Sequence, residues 1–171
     1  MSQSRSRNVA MEVAEEARED TRTKPSFAAE VFLGNFPSAL VHPFPEQDRE
    51  DRQEAEAFLR RLETVLKDNI DPDAVDREGD LPAAAIQALH DVGAFRMKLP
   101  KAVGGLGLSQ TNYNRASALT GSWCASTAIW LGAHQSIGAP TPLALFGTEA
   151  QKAAYLPRLA AGELSAFALT E

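Results

Sequence analysis

Between residues 55 and 66, apolar side chains fall at Ala55, Phe58, Leu59, Leu62, Val65 and Leu66, while Arg and Glu fill most positions between them. Steps of three and four residues follow one face of an α-helix and do not fit the alternation of a half-buried strand. The stretch 47–68 is therefore predicted to be a long, one-faced helix with its charges on a solvated outer face. Such a helix needs other elements to cover its apolar stripe, so the rest of the chain must supply a core.

The covering elements also read as helices. Leu81, Ala85, Leu89 and Val92 share a stripe on a helix from about Leu81 to Val92, with Asp80 as its cap, Pro82 in its first turn and Gly93 just past its end. Ser109 is placed to cap a helix running to about Leu119. A much less polar helix spans roughly 123–138; nearly every residue in it is small or apolar, which predicts burial on most sides. Thr148 and Gln151 form a T-x-x-Q capping box at the start of "EAQKAAYLPRLAA", a helix that Gly162 ends and in which Pro157 implies a kink or a break. Near the start, "SFAAEVFLGNF" is a short amphipathic helix with Phe27, Val31 and Phe32 available to pack.

The connections are read from their breakers. "PSALVHPFPEQ" holds three prolines and reads as an extended connection, "DPDAVDREGD" as a polar linker, and "AFRMKLPKAVGGLGL" as an extended piece followed by a glycine-rich loop. Only from 165, in "LSAFALTE", does the pattern become strand-like. The fold class is all-α: a helical bundle of five or six helices with one strand begun at its end. By domains, 1–25 is read as a disordered tail, 26–164 as the helical domain, and 165–171 as the first strand of a further domain.

Composition narrows the function classes. The chain has 171 residues, a formal net charge of −6 and an apolar share of 44%, enough for one domain-sized core. The acidic balance argues against a nucleic-acid or anionic-membrane surface, either of which asks for clustered Lys and Arg. Cys124 is the sole cysteine, so no intrachain disulfide or cysteine-based zinc cluster is available, which suits a reducing compartment and makes the cytoplasm the default. The acidic opening stretch is neither a secretory signal nor a mitochondrial transit peptide.

Few residues suggest chemistry by themselves. "GGLG" at Gly104 to Gly107 lacks the G-x-G-x-x-G spacing and a strand before it, so a tight turn explains it better than a phosphate loop. His42, His90 and His134 are too scattered for a metal site, and no metal is expected. His134 lies in the apolar helix beside Gln135, where both a satisfied core histidine and a pocket residue remain open. Cys124 has no activating His or Lys close in sequence and reads as packing; Trp123, Trp130 and Tyr155 read as core or interface aromatics. From these residues alone, a catalytic set cannot be identified.

Several stretches together resemble the amino-terminal half of acyl-CoA dehydrogenases: "GAFRMKLPKAVGGLGLS", "LGAHQSIG", "LFGTEAQKAAYLPRLAAGE" and the closing "AFALTE", in that order. "SFAAEVFLGNF" and "LGAHQSIG" look most like the very-long-chain branch, and the resemblance covers 26–171. It implies an FAD enzyme that oxidises long-chain fatty acyl-CoA to trans-2-enoyl-CoA in fatty acid β-oxidation. A glutamate of a carboxy-terminal helical domain takes the α-proton, the β-hydrogen leaves as hydride to the flavin, and the electrons pass to an electron-transfer flavoprotein.

By the same resemblance, "ALTE" begins a flavin-binding β domain, with Phe167, Leu169 and Thr170 meeting the flavin through backbone groups and the Thr170 hydroxyl. The helix at 123–138 would line the acyl pocket through Gly132, Ala133, His134 and Gly138, although small residues there equally suit close helix packing. Glu171 belongs to the motif strand and is not the base, so no catalytic residue is assigned. A "PGAGSD"-like continuation, the β domain and a carboxy-terminal four-helix bundle do not follow, and the chain is expected to be a fragment, split-gene product or truncated product that binds FAD poorly and is inactive alone. It would form a homo-oligomer when full length, or take the missing domains from a second polypeptide. The alternatives are a related acyl-CoA oxidase-like flavoenzyme and a non-catalytic helical interaction module.

Overall fold

The computed structural model describes residues 25–43 and 46–166. The chain divides into two compact units, Met1–Glu46 and Gln47–Glu171. In the first, helix α1 (Phe27–Phe32) is capped by Ser26, whose hydroxyl oxygen accepts from the Ala29 N–H, and a 3-10 turn follows at Ser38–Leu40. Phe27 and Phe36 meet edge to face at 5.5 Å.

The second unit is built around α2 (Arg49–Asn69), whose buried residues Ala55, Phe58, Leu62 and Leu66 lie on the stripe predicted from the sequence. Asp48 opens it by accepting from the N–H groups of Glu50 and Asp51. α3 (Pro72–Glu78) comes next, followed by α4 (Ala83–Val92), α5 (Gln110–Trp123), α6 (Ala125–Gly132), α7 (Pro140–Phe146) and α8 (Glu149–Ala160). α2 packs against α4 and α5, and α5 packs against α6. Their shared core also takes in Val75 of α3 and the loop residues Ala94, Phe95 and Met97. A smaller cluster joins Leu99 to Leu156, Leu159 and Ala160, with Leu143 and Ala144 against it. Among the described residues there is no strand, and the all-α class holds.

Several local expectations need correction. "DPDAVDREGD" is not a linker throughout: Asp71 caps α3, Pro72 occupies its first turn, and Gly79 closes it in the left-handed region. α4 begins at Ala83 rather than Leu81, with Pro82 as its N-cap, while the Asp80 carboxylate accepts only from the Leu81 N–H. α5 runs four residues beyond Leu119. The apolar 123–138 segment is not one helix, because Cys124 is extended between α5 and α6 and a π-turn occupies Ala133–Ile137. Nor is it buried on most sides, since Ile129 is 72% exposed. α7 is a helix that the sequence reading did not include; Pro140 stands at its start, where a missing N–H costs nothing.

The capping box at Thr148 and Gln151 is present in both directions. α8 continues through Pro157 without a break: the proline lies in its last turn, and the Ala161 N–H still donates to the Pro157 carbonyl at 2.9 Å. The "GGLG" stretch is a turn, with Gly104 at φ +90°, where a side chain would be strained. Cys124 is buried in the main core, as the packing reading expected. Trp123 is partly exposed and donates its indole N–H to the Ile70 carbonyl at 3.0 Å. Of the strand expected over 165–171, Ser165 and Ala166 are described and not in a strand, and 167–171 lie outside the described residues.

Leu62→Ala should lower unfolding free energy by about 2–5 kcal/mol, because the side chain is fully buried on the helix that packs against α4 and α5. Thr148→Ala should cost about 1 kcal/mol by removing the cap of α8 alone. Urea denaturation followed by circular dichroism measures both.

Candidate functional site

The π-turn at Ala133–Ile137 places two consecutive polar side chains in the interior. π-turns widen a helix locally and turn consecutive side chains away from the regular stripe. Here the consecutive residues His134 and Gln135 are both buried. Gln135 donates from Nε2 to the Ala94 carbonyl at 2.6 Å, and its Oε1 accepts from the Lys98 N–H at 3.3 Å. His134 is 3% exposed, and its Nε2 lies 3.0 Å from the Phe95 carbonyl oxygen. The loop at 94–98 is thus held to the turn by two side chains reaching its main chain. The Phe95 ring closes the arrangement, edge-on to both Trp130 at 5.2 Å and His134 at 5.9 Å.

The other nitrogen of His134 faces the end of the described chain. The Ser165 N–H donates to Nδ1 at 3.1 Å, and the Ser165 Oγ lies 3.3 Å from the same atom. The turn is fixed on its outer side by Ser136, whose hydroxyl meets the Tyr113 hydroxyl at 2.7 Å, and by Thr141, which donates to the Gln135 carbonyl at 2.7 Å.

Helix α7 then separates two clefts. One, of about 420 Å³, is largely apolar and bounded by Gly138, Pro142, Leu143, Phe146, Tyr155 and Ala166, with Phe146 itself 85% exposed. The other, of about 360 Å³, has Lys98, Gln110 and Thr141 among apolar residues of α7. Of the four residues predicted for an acyl pocket, Gly138 borders the apolar cleft. Gly132 and Ala133 are half-buried one turn earlier, and His134 points to the loop at 94–98 and to Ser165. A Cβ on Gly132 would come no nearer than 3.9 Å to the Tyr113 hydroxyl, so tight packing does not require glycine there.

Leu143, Phe146 and Tyr155 were not singled out as cleft residues. The available signal was "PLALF" between two prolines and a capping box, which amounts to a short helix with an apolar face. Phe167, Leu169 and Thr170 lie outside the described residues. The unpartnered buried polar atoms on the described residues belong to His90, Arg96 and Thr127, none of which borders either cleft, so these residues offer no donor set shaped for a flavin. Among the described residues no three His, Cys, Asp or Glu side chains converge, and no helix is long and apolar enough to cross a membrane.

Burial holds the His134 imidazole below its ordinary value of 6.5, partly opposed by its bond to the Phe95 carbonyl. The unfolded chain therefore binds the proton more readily than the folded one, and folding stability is complete above that value and falls as the pH drops through it. Denaturation midpoints should decline from about pH 7.5 to about pH 6, and His134→Asn, which cannot titrate, should flatten that part of the curve.

Residues 52–163 match the family model described as "Acyl-CoA dehydrogenase, N-terminal domain". The chain is 45% identical over 159 residues to the probable acyl-CoA dehydrogenase FadE10 of Mycobacterium tuberculosis (strain ATCC 25618 / H37Rv), covering 93% of this chain and 24% of that protein. It is 38% identical over 162 residues to the mitochondrial very long-chain specific acyl-CoA dehydrogenase of Rattus norvegicus, again covering 24% of the relative. Among solved structures, an acyl-CoA dehydrogenase complexed with FAD from Bacillus anthracis superposes with a TM-score of 0.52 at 28% identity, over 74% of this chain and 21% of that one. A chain from the electron transferring flavoprotein structure of Acidaminococcus fermentans gives a TM-score of 0.57 at 26% identity, over 70% of this chain and 31% of that one. The chain spans about a quarter of the length of the curated relatives it matches. With its helical core lying inside the matched residues, the chain belongs to the acyl-CoA dehydrogenase family and carries the family's amino-terminal domain.

Proposed function

We propose that this chain serves as the helical amino-terminal domain of an FAD-dependent acyl-CoA dehydrogenase that oxidises long-chain fatty acyl-CoA to trans-2-enoyl-CoA in fatty acid β-oxidation. The observation that carries the reading is the apolar cleft beside α7, in a chain of this family: an open, largely apolar surface of Leu143, Phe146 and Tyr155 suits an alkyl chain. Gly138 would border the acyl path directly, with Gly132 and Ala133 one turn behind and His134 fixing the turn that carries them.

FAD would accept the hydride in the complete enzyme, with Phe167, Leu169 and Thr170 as this chain's contribution to its binding. The described residues bind and orient the acyl chain; they contain no assigned base. The catalytic glutamate and most flavin contacts would come from domains beyond this sequence, either in the same protein or on a second polypeptide, with an electron-transfer flavoprotein as the acceptor and a homo-oligomer as the working form. The single cysteine fits a cytoplasmic enzyme. The exposure of Ile137, Leu145 and Phe146 favours docking of such a partner domain.

Purified alone, the 171-residue chain should carry less than stoichiometric flavin and show no flavin bleaching on addition of palmitoyl-CoA. A yellow, stoichiometric holoprotein that bleaches without a second polypeptide would refute the assignment of an incomplete catalyst.

A further inference from the structure

The ring of His134 joins two segments that are far from it in sequence. Its Nε2 faces the Phe95 carbonyl oxygen at 3.0 Å, and its Nδ1 receives the Ser165 N–H at 3.1 Å. A carbonyl only accepts and an amide N–H only donates, so the partners dictate the tautomer: the proton resides on Nε2 and the lone pair on Nδ1. The Ser165 hydroxyl oxygen in turn accepts from the Ala139 N–H at 3.0 Å, just ahead of α7.

Gly138 completes the seat for Ser165. A Cβ on Gly138 would lie 2.7 Å from the Ser165 Oγ and 2.9 Å from the Ser165 carbonyl oxygen. Its φ of −71° is open to any residue; the His134 carbonyl oxygen, 2.5 Å from such a Cβ, and Ser165 together leave no room for a side chain. A histidine that only filled the core would have no need of a partner beyond the last helix.

We propose that His134 is a positioning residue. In its neutral, Nε2-protonated form it clamps the Ser165 amide and thereby sets the direction in which the chain leaves the helical bundle after α8. That the segment so directed carries flavin contacts rests on the function proposed above, whereas the clamp itself is read in the chain without flavin.

Two substitutions separate the two nitrogens. Asn places an acceptor close to the Nδ1 position, and Gln places an amide donor close to Nε2 but no acceptor toward Ser165. Amide hydrogen exchange at Ser165, followed by NMR on the 171-residue chain, should quicken by roughly fivefold in His134→Gln and stay within about twofold of the parent in His134→Asn. Equal loss in both variants, or loss in neither, overturns the clamp. Should either variant fail to fold, imidazole nitrogen spectra of the unsubstituted chain decide: the clamp requires an unprotonated Nδ1, and a proton on that atom refutes it. A clamp observed in this chain, with no flavin taken up once the missing domains are restored, would count against the flavin reading and leave the clamp standing.

Discussion

The burial of one face of α2 is the constraint on which the second unit depends. Ala55, Phe58, Leu62 and Leu66 are all buried, and α4 and α5 take their places by packing against them. Each large apolar side chain removed from water contributes on the order of 1.5–3 kcal/mol, so the stripe outweighs any single polar tie in the unit. It also fixes where α6 runs, because α6 packs on α5.

Polar contacts then select one arrangement among those the apolar stripe allows. Asn112, fully buried on α5, donates to the Asp51 main chain and side chain and accepts from Gln47 and Arg115, which sets how α5 lies along α2. Arg115 reaches Glu56 at 2.6 Å, and Lys101 pairs with Glu54, so the charged face of α2 is engaged by neighbouring elements as well as by water. At the other end, His134 and Gln135 hold the loop at 94–98 against the π-turn. A buried polar group without a partner is costly, so these contacts discriminate strongly between registers even where their net stabilisation is modest.

The parts legible in the sequence are those governed by local chemistry. The spacing from Ala55 to Leu66 located α2, Ser109 and the Thr148–Gln151 box located the starts of α5 and α8, and Gly93 marked the end of α4. The misreadings came where local signals point two ways. "DPDAVDREGD" was read as a polar linker, but Pro72 stands in the first turn of α3, and the acidic residues around it concealed the single buried Val75 that ties it to the core. The run 123–138 read as one helix because composition alone does not reveal an extended residue such as Cys124 or a π-turn.

By itself, the sequence determined the all-α class, the long central helix and the family, because periodic burial and capping are encoded within a few residues of each other. The tertiary structure decided which small residues border a cleft and which merely pack, since that depends on elements far apart in the chain. Gly138 shows both scales: a Cβ there would meet the His134 carbonyl oxygen four residues back and also Ser165, which only the tertiary structure brings against it. His134 is the clearer case, for its two partners are 39 and 31 residues away, and no local pattern could have named them.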